Sequence, residues 1–246
     1  MENVKRYPLG WKERPYDARD YSTKAFIEPA DLRATPIRSA SWGFPSISLD
    51  QGMTGHCCGF MDADFLINLP INTDCENQDG HDFYYMCKEF DGEPRNEDGS
   101  NLRSAAKVLR QIGAINNYAF APNIESIKYW LLNNGPVMMG TLWMSGMWEP
   151  DANNVVHATG SYEGGHAWLA NEYIEPLDLY GIQNSWGASW GDNGKAYISG
   201  DDLKKLLALG GEALVAVELE KAITDPAPTW LENLIMFIIS LFRKEK

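Results

Sequence analysis

A glutamine–cysteine turn followed by an apolar helix constrains this chain more than any other part of its sequence. Gln51 and Cys57 stand six positions apart with two glycines between them, and the pattern of residues 61–69 predicts a buried helix. A cysteine at a helix N-terminus faces unpaired N–H groups and a partial positive charge, and both favour the thiolate over the thiol. We therefore interpret Cys57 as a nucleophile, and the Gln51 amide as a donor to an oxygen that becomes negative during attack.

A histidine and an asparagine further along the chain supply a candidate base and a candidate orienting residue. His166 follows a glycine pair at the start of an apolar, strand-like run, and Asn184 begins the segment NSWGASWGDNG at the end of another. In this order and at this spacing, the three motifs resemble those of the papain-like (C1) cysteine peptidases of bacterial or phage type. The resemblance covers about residues 8–218.

This resemblance implies a role for each residue of the expected catalytic site. Cys57 is expected to attack a carbonyl carbon and form an acyl-enzyme, and His166 to hold the thiolate as an ion pair and then protonate the leaving amine. Asn184 is expected to accept a hydrogen bond from the imidazole and fix its tautomer, while Trp186 keeps water from that bond. Gln51 and the backbone N–H of Cys57 are expected to form the oxyanion hole.

The resemblance also implies where a substrate binds. The backbone just before a downstream helix pairs with the extended substrate in this family, and Gly99 and Ser100 hold that position, where two glycines are usual. Gly140 and Gly164 border the pocket for the second side chain before the cut, and their small size predicts an open pocket for a bulky apolar or aromatic group. The expected substrate-binding set is Gly99, Ser100, Leu102, Gly140, Gly164, Gly165 and Trp186.

Helical periodicity occurs mainly in the first half of the chain and strand-like runs mainly in the second. The pattern predicts helices at residues 101–112 and 124–132 and a strand at 136–143, whereas residues 70–101 are polar and turn-rich. This order favours an α+β fold. The resemblance implies a papain-like fold, with a helical half and a β-barrel-like half on either side of the active-site cleft.

We divide the chain into three parts. Residues 1–40 hold prolines at positions 8, 15, 29 and 36 and are predicted to run extended, either as a belt that ties down the fold, which we favour, or as a short pro-like segment in the cleft. Residues 41–222 form the peptidase domain, and residues 223–246 form a proline-containing linker and an apolar C-terminal helix. The apolar stretch of this helix, residues 230–242, is shorter than the ~20 residues that a membrane span needs.

The net charge and the cysteines narrow the partners and the chemistry. A formal net charge of −13 argues against a nucleic-acid partner. The four cysteines are Cys57, Cys58, Cys75 and Cys87. We expect reduced thiols, with a Cys75–Cys87 disulfide as the alternative, and assign Cys58 to packing. His56 is expected to line the cleft or face solvent and His81 to be exposed, and no metal-ligand spacing occurs, so we expect neither metal nor cofactor.

The N-terminus lacks the apolar stretch of a signal peptide, which favours a cytoplasmic or virion-associated protein. Residues 230–242 could dock on the domain, contact an assembly or lie on a membrane surface. The sequence as a whole predicts a cysteine-type endopeptidase that acts on a peptide or protein substrate. The alternatives are an amidase that acts on cell-wall peptides and a structural or virion assembly module on the same fold.

Overall fold

The computed structural model describes residues 6–25, 27–36, 38–43 and 45–217. Its helices are α1 (Pro29–Ala34), α2 (Cys57–Ile67), α3 (Asn77–Asp91), α4 (Leu102–Gln111), α5 (Ile124–Asn133) and α6 (Gly200–Ala208). Its strands are β1 (Ala40–Ser41), β2 (Asn117–Phe120), β3 (Val137–Met144), β4 (Val155–Val156), β5 (Tyr162–Ile174), β6 (Leu179–Gln183), β7 (Lys195–Ser199) and β8 (Glu212–Val217). Short 3₁₀ turns lie at Thr23–Ala25, Ser145–Met147 and Glu175–Leu177.

The predicted linker and apolar tail at 223–246 lie outside the described residues, so the three expectations for residues 230–242 stay predictions. Within the ranges that the structure describes, no helix is both long and apolar enough to cross a membrane.

The strands form one sheet in the order β2-β8-β3-β5-β6-β7-β4, and β1 pairs with β5. Neighbouring strands are antiparallel, except that β4 and β7 run parallel. The longest strand, β5, lies between β3 and β6 and begins close to the predicted base His166. Strand β6 ends immediately before Asn184, so that two of the predicted catalytic residues come from adjacent strands.

Alternate residues of the central strands face two separate cores, because successive side chains of a strand point to opposite faces. Met138 and Leu169 belong to the core that contains the buried residues of α2, α3 and α4. Met139 and Trp168 belong to the other core, which contains residues of α5 and α6. Helices therefore cover both faces of the sheet, and α2 packs directly on β5.

Helix α2 is buried along its whole length, as an apolar helix inside a protein core must be. It begins at Cys57 itself, four positions before the predicted helical stretch 61–69, so the cysteine is the first residue of the helix. The predicted helices at 101–112 and 124–132 are α4 and α5. Each is capped by an asparagine: Asn101 accepts a hydrogen bond from the backbone N–H of Ser104, and Asn123 accepts one from that of Ser126.

The prediction of a turn-rich connection over residues 70–101 is wrong, because α3 occupies Asn77–Asp91. Asp79, Asp82 and Lys88 lie on the buried face of this helix and interrupt the apolar periodicity that would have revealed it. Its end signals were present in the sequence. Glu76 and the Asp three positions later form a capping box, and Gly92 ends the helix in the left-handed conformation at φ 68°.

Candidate active site

Cys57 lies at the point where α2 meets strand β5. Its Sγ accepts a hydrogen bond from the backbone N–H of Ala167 at 3.4 Å, and its side chain is fully buried. Burial by itself would raise the pKa of the Cys57 thiol. Hydrogen bonds from Cys58 and His166 outweigh that effect and hold the pKa of Cys57 well below its usual value. The site therefore favours a thiolate at position 57.

Cys58 contributes to this thiolate rather than only to packing. The hydrogen bond to Cys57 and burial raise the pKa of the Cys58 thiol well above its usual value, so Cys58 stays protonated and donates a hydrogen bond to Cys57. All four cysteines of the chain are buried free thiols, and the Cys75–Cys87 disulfide is not formed. The adjacency of Cys57 and Cys58 in the sequence was the available signal for this contact.

His166 and Asn184 are joined by a hydrogen bond of 2.8 Å between Nε2 and Oδ1. The backbone N–H of Ser185 also donates to Asn184 Oδ1, at 2.9 Å, which identifies that atom as an acceptor and the imidazole Nε2–H as the donor. The other ring nitrogen, Nδ1, has no conventional hydrogen-bond partner among the described residues. The imidazole nevertheless acts on the Cys57 thiol, whose pKa it lowers. Nδ1 is therefore the atom available to exchange a proton with Cys57.

An aromatic cluster covers the histidine. The Trp186 ring centroid lies 4.6 Å from that of His166, and the Trp143 centroid lies 4.9 Å from it in an edge-on arrangement. Trp186 is fully buried. Its other neighbours include Trp148, which stacks at 5.3 Å, and Tyr7, which stacks at 4.7 Å with the two ring planes 2° apart.

Gln51 is placed with its amide group aimed into the cleft. Its Oε1 accepts a hydrogen bond from the Ser185 hydroxyl at 2.8 Å, which identifies Nε2 as the donor end of the amide. Nε2 donates to the carbonyl oxygens of Thr54 at 2.6 Å and Pro8 at 3.0 Å. The residue predicted to stabilise a substrate oxyanion therefore holds a backbone carbonyl of the chain's own N-terminal region.

The residues expected to bind a substrate backbone bind this same N-terminal region. The Trp11 N–H donates to the Gly165 carbonyl at 2.8 Å, and the Ser100 N–H donates to the Gly10 carbonyl at 2.9 Å. The Lys12 N–H donates to the Ser100 carbonyl at 2.8 Å. We call residues 7–12 the cleft segment. It passes from Trp186 over Gln51 to the Ser100–Gly165 pair and so crosses the cleft from side to side.

The glycines of the predicted substrate pocket make room for the cleft segment. A Cβ atom placed on Gly140 would lie 2.1 Å from Trp11 Nε1, and one on Gly164 would lie 2.7 Å from Leu9 Cδ1. A Cβ on Gly165 would lie 2.2 Å from the Trp11 carbonyl oxygen. The Trp11 indole is buried and belongs to the same core cluster as Leu102. On the remaining side, a Cβ on Gly99 would lie 2.7 Å from the Gly10 carbonyl oxygen.

Ion pairs anchor the last residue of the cleft segment and the residues that follow it. Lys12 donates to Glu93 at 2.9 Å, and Glu93 also accepts from the buried Lys88 at 2.6 Å. Arg14 pairs with Asp20 at 3.0 Å and with Glu212. Within the described N-terminal residues, the prediction of an extended course is wrong at Pro29–Ala34, which form α1. A belt that only ties down the fold does not describe residues 7–12, because they lie in the cleft.

His56 and His81 are not placed as the sequence suggested. His56 precedes the nucleophile, is only 8% exposed and stacks on Tyr84 with ring centroids 3.7 Å apart. Its Nδ1 lies 2.8 Å from Nδ1 of His81, which is partly buried rather than exposed. These contacts join α3 to the start of α2. The sequence held no signal for them, because α3 itself was not predicted.

No family model matches the chain. An uncharacterised peptidase C1-like protein of Acanthamoeba polyphaga mimivirus is 30% identical over 122 residues, which cover 47% of this chain and 39% of that protein. The match thus spans well under half of the relative's length.

Several solved structures share the fold. Xylellain, a cysteine protease from Xylella fastidiosa, superimposes with a TM-score of 0.68 at 17% identity, over 89% of this chain and 99% of xylellain. Digestive procathepsin L 3 of Tenebrio molitor gives a TM-score of 0.56 at 17% identity, over 81% of this chain and 76% of that one. Bromelain from Ananas comosus gives 0.55 at 16% identity, over 74% and 99%.

The chain therefore has an α+β papain-like fold, and the resemblance to the C1 cysteine peptidases is confirmed. The bacterial or phage type stays a prediction, as do the division into three parts and the cellular location.

Proposed function

We propose that this chain is a cysteine peptidase that hydrolyses peptide bonds through an acyl-enzyme on Cys57. The observation that carries the proposal is the 2.8 Å hydrogen bond between His166 Nε2 and Asn184 Oδ1, beside a cysteine that begins a helix. That bond leaves Nδ1 of the imidazole available to Cys57, as proton transfer between the two requires. The curated relative is named as a C1-like peptidase, which supports the same activity here.

The reaction would proceed in two steps. The Cys57 thiolate attacks the carbonyl carbon of the substrate, and Gln51 Nε2 and the Cys57 N–H donate to the oxygen as it becomes negative. The carbon–nitrogen bond then breaks, and the amine leaves with the proton from His166. In the second step the neutral imidazole takes a proton from water as that water attacks the thioester, and the acid product leaves with regeneration of the thiolate.

We further propose that the described conformation is a latent form of the peptidase. The cleft segment engages the amide of Gln51 and the backbone groups of Ser100 and Gly165, so a substrate could bind only after the segment leaves. Trp11 lies against Gly140 in the predicted pocket. A pocket that holds an indole supports a substrate with a bulky aromatic or apolar residue as the second before the cut.

Labelling with an epoxysuccinyl inhibitor of cysteine peptidases, followed by peptide mass mapping, tests the activity. We expect modification of the wild-type chain at Cys57, none in Cys57→Ala, and strongly slowed modification in His166→Ala. Cys75→Ala is the matched control, because Cys75 is a buried thiol outside the site. Modification at Cys58 alone, or a Cys57 that reacts equally without His166, would overturn the proposal.

A further inference from the structure

A buried polar cluster joins the three elements that carry Cys57, His166 and Asn184. Its members are Asp64, Asn68, Asn171 and Gln183, which we call the amide cluster, and each is at most 5% exposed. Gln183 Nε2 donates to Asp64 Oδ1 at 2.8 Å, and Gln183 Oε1 accepts from Asn68 Nδ2 at 2.8 Å and from Asn171 Nδ2 at 3.0 Å. Asn171 Nδ2 also lies 3.0 Å from Asn68 Oδ1.

Each member is tied to the triad by a short stretch of chain. Asp64 follows Cys57 by seven positions on α2, which is about two helical turns. Asn171 follows His166 by five positions on β5, and Gln183 directly precedes Asn184 at the end of β6. Gln183, which lies on β6, thus touches side chains from α2 and from β5, and its own backbone continues into the residue that orients the imidazole.

A purely structural contact at this place would be served by apolar side chains, since burying polar groups is costly. The cost is not fully offset here, because Asp64 Oδ2 and Asn171 Oδ1 have no hydrogen-bond partner among the described residues. Hydrogen bonds differ from apolar packing in that only one arrangement of the partners satisfies them. The hydrogen bonds of the amide cluster are therefore compatible with one register of α2 against β5 and β6, which apolar contacts alone would not specify. Burial raises the pKa of Asp64 to about 7 in spite of the Gln183 hydrogen bond, so the cluster is maintained at a real electrostatic cost.

We propose that the amide cluster positions the catalytic triad, with Asp64 and Gln183 as positioning residues that hold the Cys57 helix in register with the Asn184 strand. This inference rests on the proposed peptidase function. Neither residue touches the reacting atoms. Both act through the elements that carry Cys57 and Asn184, so their effect is on the geometry of the thiolate, the imidazole and the amide.

The chemistry of the pair allows a rescue experiment. Gln183→Met keeps the side-chain length but removes all three hydrogen bonds of Gln183. Asp64→Asn combined with Gln183→Glu exchanges donor and acceptor: the new amide donates to one carboxylate oxygen, and the other oxygen still accepts from Asn68 and Asn171. The matched control is Gln78→Met on α3, where Gln78 Nε2 donates to Asp82 Oδ1 of the same helix at 2.9 Å.

Two readouts separate positioning from stability. The rate of Cys57 alkylation by iodoacetamide between pH 5 and 9 reports the thiolate–imidazole pair, and proton NMR reports the imidazole N–H that His166 donates to Asn184. We expect Gln183→Met to slow alkylation at least about tenfold and to shift or broaden the imidazole signal, because small displacements of catalytic groups have large effects on rate. The exchanged double variant is expected to recover the signal and to react within about threefold of wild type.

The outcomes are distinct from those for the peptidase proposal. A folded Gln183→Met variant with the wild-type rate, pH profile and imidazole signal would overturn positioning, as would a double variant that shows no recovery. If Gln183→Met does not fold, Gln183→Glu makes the same test at pH 8.5, because its new carboxyl group faces that of Asp64. The double variant, in which an amide again faces a carboxylate, is then expected to react faster than Gln183→Glu. A Cys57 that does not react at all, even in a Trp11→Ala background that releases the cleft segment, counts against the peptidase proposal, and the imidazole signal still decides the positioning inference.

Discussion

Gln51 Nε2 lies 3.0 Å from the carbonyl oxygen of Pro8 and donates a hydrogen bond to it. A side chain that in the proposed mechanism receives the oxygen of a substrate is thus occupied by a peptide group 43 positions earlier in the same chain. The contact is reinforced on both sides, by the stacking of Tyr7 on Trp186 and by the burial of Trp11. The predictions below follow from this occupied cleft and from the buried groups around it.

Trp11→Ala is expected to release the cleft segment. Burial of a large aromatic side chain contributes on the order of 3 kcal/mol, so its loss should favour the open cleft and raise the rate of epoxysuccinyl labelling of Cys57 at least about tenfold. Tyr16→Ala is the matched control, because Tyr16 belongs to the same N-terminal region but is 92% exposed. An unchanged labelling rate in Trp11→Ala would show that the segment does not limit access.

Gly140→Ala is expected to narrow the pocket that holds Trp11, because a Cβ at this position would lie 2.1 Å from the indole nitrogen. In a Trp11→Ala background, we expect the chain to cleave those members of a peptide library whose second residue before the cleaved bond is aromatic. When Gly140→Ala is added, we expect the preference at that position to shift to smaller residues. Gly135→Ala is the control, since its nearest neighbour to a new Cβ lies 3.9 Å away. The same preference with and without Gly140→Ala would refute the pocket assignment.

Asn184→Ala is expected to lower the rate of Cys57 alkylation at least about tenfold, because the imidazole loses the acceptor that fixes its tautomer. The pH range over which Cys57 is reactive should narrow as well, since the imidazolium that stabilises the thiolate is no longer supported. The rate is measured from pH 5 to 9. Asn133→Ala, which removes an exposed amide on α5, should leave the profile unchanged. A wild-type profile in Asn184→Ala would exclude a role in orienting His166.

The stability of the wild-type chain is expected to fall with rising pH because of Asp64. Burial raises the pKa of Asp64 in the folded state to about 7 from its ordinary value of 3.8, so the folded chain holds this proton more tightly than the unfolded chain does. The contribution of Asp64 to the free energy of unfolding is therefore most favourable below about pH 4 and declines as the pH rises towards 7. Above about pH 7 its destabilising effect is complete.

Asp64→Asn removes this dependence, and we expect its unfolding free energy, relative to wild type, to rise by about 2–3 kcal/mol between pH 5 and pH 8. Urea unfolding at both pH values measures the change. Asp201→Asn, at a side chain that is 95% exposed, is the control. If the difference in unfolding free energy between Asp64→Asn and wild type were the same at pH 5 and pH 8, the raised pKa of Asp64 would be contradicted.

Local chemistry is the part of this protein that sequence reasoning anticipated well. A nucleophile needs a helix N-terminus and a nearby donor, and the turn that provides them occupies only residues 51–57, so its pattern is visible without the fold. The same holds for the helices predicted at residues 101–112 and 124–132 and for the order of helices and strands that predicts an α+β architecture. Helix α3 was missed even though its end signals were present, because buried Asp79, Asp82 and Lys88 disguised its apolar face.

By itself, then, the sequence determined the fold class and which residue types stand where chemistry requires them, because those features depend on short stretches of chain. Only the tertiary structure decided what fills the cleft and what supports the triad. In the cleft segment, Trp11 binds Gly165, 154 positions later in the chain, and Gly10 binds Ser100, 90 positions later. Gln183 and Asp64 are 119 positions apart. Contacts at such separations leave no periodic trace in the sequence, since they exist only once the sheet has brought distant backbones together.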